Sequence, residues 1–124
     1  MEVVLDAPRG IRLRCRVPRS RRERARGLIG SAELADGHAL FIPNATSVHT
    51  VGMRSSILVA RLDASLRVVD VRQMRPWRLL MPKLGARHVL EYPVDVDLRE
   101  GDVVRLSEPA RRPWKLSRRA PGRA

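Results

Sequence analysis

The sequence predicts a mainly β domain of the α+β class, a small antiparallel β barrel or two-layer β fold with one short N-terminal helix. Three observations predict it: strict alternation through Ile11-Arg12-Leu13-Arg14-Cys15-Arg16-Val17, a succession of short apolar runs broken by turn residues from Gly37 onward, and a single capped helical segment between them. Many short strands beside one helix can bury their apolar faces only by curling or layering. A chain of 124 residues supports one core. That core is assigned to residues 1–108, and residues 109–124 to a basic, Pro/Arg-rich disordered tail.

From Gly10 to Val17, the residues Ile11, Leu13, Cys15 and Val17 fall on one side and Arg12, Arg14 and Arg16 on the other, the period of a strand with one buried face. Cys15 therefore points inward as a small core residue. As the only cysteine it forms no intramolecular disulfide, which agrees with a reducing compartment. Beyond Pro18, Ser20 and Glu23 form a capping-box pair, so a helix is expected over about residues 21–29, ending at Gly30. Strands are expected at residues 38–42, 47–51, 57–62, 66–71, 88–92 and 103–106. Asp63-Ala64-Ser65 is short enough for a hairpin, and Gly101 supplies a turn. Residues 74–87, with two prolines and a glycine, read as a long loop with room for one helical turn.

The net charge of +12 is unevenly spread. Residues 1–26 carry nine arginines and three acids, residues 27–108 ten cations and ten acids, and residues 109–124 six cations and no acid. Such ends attract polyanions without sequence preference. Arginine outnumbers lysine by 23 to 2, which also fits a plain compositional bias. No run approaches the ~20 apolar residues of a transmembrane helix, and the first residues lack a secretory h-region, so a cytoplasmic location is expected.

Arg26-Gly27-Leu28-Ile29, Ala39-Leu40-Phe41-Ile42, His49-Thr50-Val51-Gly52-Met53-Arg54, Leu62-Asp63, Val89-Leu90-Glu91 and Glu100-Gly101-Asp102-Val103 stand in the order and spacing of a small bacterial and archaeal family. From about Val3 to Leu106 the chain resembles domain of unknown function family 192. The resemblance implies a compact β-rich domain with a helix near its start, and no agreed activity. Two departures stand out. The family's usual aromatic-Met-x-Asn-Thr is replaced by Val51-Gly52-Met53-Arg54-Ser55, and Leu58 stands where most members have an aspartate.

Arg26, Ser47, His49, Thr50, Met53 and Glu91 are expected around one pocket or groove, with Trp77 near its rim. The leading expectation is a non-enzymatic module that binds a small ligand or a protein partner. A small hydrolase is the first alternative, with His49 as general base, Ser47 on its strand face and Glu91 orienting the ring. The second is nonspecific binding of nucleic acid or an anionic surface through the basic ends. No cofactor is expected, and no metal site, because His38, His49 and His88 lack second ligands at local metal spacing. Trp77 and Trp114 recur in matching Arg-Pro-Trp contexts suited to an anionic surface or a partner's pocket.

Overall fold

The computed structural model describes residues 2–18 and 38–108. Among these, nine strands follow in chain order: β1 (Glu2–Ala7), β2 (Ile11–Arg16), β3 (His38–Ile42), β4 (Val48–His49), β5 (Ile57–Leu62), β6 (Val68–Met74), β7 (Leu79–Leu80), β8 (His88–Tyr92) and β9 (Arg105–Ser107). Seven form one sheet in the order β6-β5-β8-β3-β2-β1-β9, while β4 and β7 make a separate two-stranded ribbon. The helix expected at residues 21–29 and the tail at 109–124 lie outside the described residues.

The mainly β class holds, but the antiparallel barrel needs correction. β2 and β3 run parallel, with Arg14 opposite His38 and Arg16 opposite Leu40. A parallel pair needs a connection of a dozen or more residues, and the stretch between Arg16 and His38 is long enough. The sheet is a curled half-barrel whose two edges meet at one end. There Val68 donates its N–H to Asp102 O at 2.8 Å, Gly101 to Val68 O at 2.8 Å and Val104 to Leu66 O at 2.9 Å.

β1, which no alternation announced, pairs with β2 across Pro8-Arg9-Gly10, where Arg9 and Gly10 both take positive φ. The Arg9 guanidinium reaches Asp102 at 2.7 Å and Asp97 O at 2.8 Å, tying this turn to the segment before β9. On β2 the sequence reading holds in detail. Cys15 is fully buried, with burial pushing its thiol up to about 12, while Arg12 and Arg14 lie outside and pair with Asp6 and Glu2.

The sheet is buried on both faces at β3, β5 and β8. One face, fed by every strand, makes the main core around Leu5, Leu13, Phe41, Leu62, Leu90 and Tyr92. On the other, Leu40, Ile42, Ile57, Val59, Met74 and Val89 pack against Val48 and Met53, with Leu80 beside them. Strands covered on both sides lose the polar alternation of half-exposed ones, which is why β3 reads as a continuous apolar run after His38 and β8 is broken only at Glu91.

Candidate functional site

The β4–β7 ribbon lies over the second face. Val48 pairs with Leu80 and His49 with Leu79, so Val48 and Leu80 turn inward while His49 and Leu79 turn out. Thr50 fixes one end. Its hydroxyl donates to Arg75 O at 2.6 Å and accepts the Arg78 N–H at 2.8 Å, and its carbonyl accepts the Trp77 and Met53 N–H groups. Arg61 fixes the other. It is buried with Asp70 in a two-pronged ion pair, and its remaining nitrogen donates to Thr46 O and Met81 O. The Arg61 guanidinium beside Asp70 holds that carboxyl below its ordinary range.

Held this way, the ribbon presents large apolar side chains outward. Trp77, Leu79 and Met81 alternate along one strip, each about two-thirds exposed, and Leu84 follows at the next turn at 101% exposure. Trp77 takes φ +62, a left-handed conformation that a bulky residue rarely adopts and that its hydrogen bond to Thr50 holds in place. Arg75 and Arg78 are exposed on the same segment, and Arg54, Lys83 and Arg87 are exposed in the loops nearby in sequence. No acidic residue occurs in residues 38–62 or 71–90. Arg72, Arg75 and Arg78 line an open groove of about 340 Å³ beside Leu79 and Leu80.

Glu91, expected at the pocket, is enclosed within the sheet. It lies in β8 between Leu40 of β3 and Val59 of β5, is 4% exposed, and among the described residues forms no ion pair. Burial alone pushes its carboxyl up from 4.5 to about 7. His88, at the start of β8, accepts the Asn44 N–H at its Nδ1, and burial favours its neutral form.

The expected site residues therefore divide. His49, Thr50 and Trp77 come together at the ribbon, but Thr50 is a buried structural knot. Met53 packs in the layer beneath, next to the strands that flank Glu91. Ser47 is exposed in the loop before β4, so it shares no strand face with His49, whose Nδ1 accepts the Val51 N–H at 3.3 Å. Arg26 lies outside the described residues. Leu58, where an acid was expected from the family pattern, is half-buried against the main core. Among the described residues no group of three His, Cys, Asp or Glu side chains is arranged to hold a metal. The sequence reading missed Leu79, Met81 and Leu84. The signal for the first two was the alternation Trp77-x-Leu79-x-Met81 in an acid-free stretch, obscured by Pro76 and Pro82.

Fold and surface together define a small half-barrel β domain with a clamped, apolar and cationic ribbon on its outer face. Residues 4–106 match the profile of DUF192, described as an uncharacterized ACR, and the chain belongs to that family. It is similar to a UPF0127 protein of Thermococcus sibiricus, 38% identical over 78 residues, covering 60% of this chain and 51% of that one. A UPF0127 protein of Thermococcus gammatolerans is 44% identical over 62 residues, covering 47% and 40%. The chain thus spans about half the length of these curated relatives. A crystal structure of a protein of unknown function from Novosphingobium aromaticivorans shares the fold, with TM-score 0.68 and 20% identity, covering 84% of this chain and 83% of that one.

Proposed function

We propose that this domain is a non-enzymatic binding module and that the β4–β7 ribbon is its working surface. One observation carries the reading: Trp77, Leu79 and Met81 stand outward on a ribbon that Thr50 and Arg61 anchor, among exposed cations, and the acid at its base, Asp70, is buried in its pair with Arg61. Leaving such side chains in water forgoes roughly 1.5–3 kcal/mol each that burial would return, and a contiguous exposed apolar strip marks an interaction surface. The hydrolase reading has less support. The His49 Nδ1 is engaged by Val51 N–H, where a triad would need it to face a carboxylate, and Glu91 is enclosed between β3 and β5.

A photoreactive amino acid at position 79, and separately at exposed position 12 on β2, tests the reading in cells. Adducts are expected from position 79 and not from position 12. Equal adducts at both, or adducts only at position 12, would remove the ribbon as the binding surface.

A further inference from the structure

We propose that the ribbon docks on an anionic lipid surface, with Trp77, Leu79 and Met81 entering the boundary between headgroups and acyl chains while Arg75 and Arg78 take lipid phosphates. The inference rests on the ribbon being the working surface and names its occupant. Charge selects an anionic partner first. Arg72 is partly offset by Asp70 at 3.7 Å, but residues 71–90 also hold exposed Arg75, Arg78, Lys83 and Arg87 and no acid, so two copies meeting through this face would repel.

Exposure then separates lipid from protein. Leu84 is as open as in an isolated peptide, and the three strip residues each keep about two-thirds of their surface in water. A protein partner would need a separate socket for each side chain standing so clear of the surface. A bilayer interface receives Trp, Leu and Met wherever they fall and draws lysine and arginine to its phosphates. Nucleic acid fits less well, because Trp77 is the one exposed aromatic among the described residues, and base-stacking platforms use two or three. The groove between Arg72, Arg75 and Arg78 adjoins Leu79 and Leu80. The Arg78 guanidinium donates to Pro76 O and Trp77 O, which sets a cation beside the inserting tryptophan. Phosphate oxygens suit a guanidinium's paired N–H donors, so headgroup and insertion contacts would form side by side.

The test uses the full chain carrying Trp114→Phe, so that Trp77 alone reports, with vesicles of phosphatidylcholine and of phosphatidylcholine mixed with phosphatidylglycerol. Flotation with the mixed vesicles only, weakened by salt and accompanied by a blue shift of Trp77 emission, is expected. The pair Trp77→Ser with Leu79→Ser, and the pair Arg75→Glu with Arg78→Glu, should each lower flotation about tenfold or more while melting like the parent. Flotation unchanged in both pairs with Trp77 emission unmoved would assign the attraction to the basic tail and overturn the proposal, as would no flotation at all. If vesicles fail but the photoreactive group at position 79 traps a protein, the lipid proposal falls and the binding surface stands. If position 79 also yields no adduct, both fall.

Discussion

Replacing Glu91 with glutamine should remove a pH dependence of stability that the native domain carries. In the unfolded chain this carboxyl titrates near 4.5, whereas between Leu40 and Val59 burial lifts it to about 7. The folded protein thus keeps a proton that the unfolded chain releases. The contribution is fully present below pH 4.5 and is lost as pH rises to about 7. The interval corresponds to roughly 3 kcal/mol, or a change in melting temperature on the order of 10 °C for a domain of this size. Other groups act in the opposite sense. Asp6, Asp70, Asp97 and Asp102, held low by their arginine partners, and His88, kept neutral by burial, favour the fold as pH rises. The comparison of parent with Glu91→Gln isolates the one residue. Denaturant unfolding from about pH 4 to about pH 8 should show the variant gaining on the parent by roughly 3 kcal/mol across the range. Parallel curves would mean the carboxyl is solvated. A reversed difference, the parent gaining as pH rises, would mean that a cation holds Glu91 ionised.

Cys15→Arg should unfold the domain, because an unpaired buried charge costs several kcal/mol out of a total near 5–15 kcal/mol, while Arg14→Ser, at an exposed ion pair of 3.7 Å, should be nearly silent. Identical melting of both variants and the parent would refute the β2 register. Asp70→Asn should cost about 3–5 kcal/mol by leaving Arg61 charged and underpaired in its buried seat, and a silent variant in urea unfolding would show that Arg61 does not clamp the ribbon. Deleting residues 109–124 should leave thermal stability within about 1 kcal/mol while weakening heparin and unrelated duplex DNA alike, with a shallower salt dependence. Retained sequence preference after the deletion would defeat the nonspecific reading of that attraction.

What could be read from the sequence follows from how many faces each strand buries. β2 has the core on one side and water on the other, so Cys15 and its neighbouring arginines declared the register. β3 and β8 are covered twice, and the rule that alternate residues turn to solvent failed for Glu91 because the opposite face is a second core layer. Thr50 resembled a ligand because a hydroxyl beside a histidine suggests chemistry. Its partners are backbone atoms of Arg75 and Arg78, more than twenty residues away, and no residue pattern encodes them. The pairing of Arg61 with Asp70 was hidden similarly, by a register shift between Arg61 and Leu62.

The ribbon is anchored out of proportion to what it buries. Its inward contribution is modest, chiefly Val48, Leu80 and the adjacent Met53, whereas its anchoring is extensive: a buried threonine with both hydroxyl roles filled, a buried arginine spanning two loops, and a tryptophan in a left-handed turn. A ribbon needed only as a lid on Glu91 and its apolar neighbours would be served equally well by polar residues outside. Leu79 and Met81, turned to water in alternation with Leu80, add nothing to that lid. The physical economy of the fold therefore separates two roles within one two-stranded ribbon, an inner face that closes the second core and an outer face whose composition folding does not require.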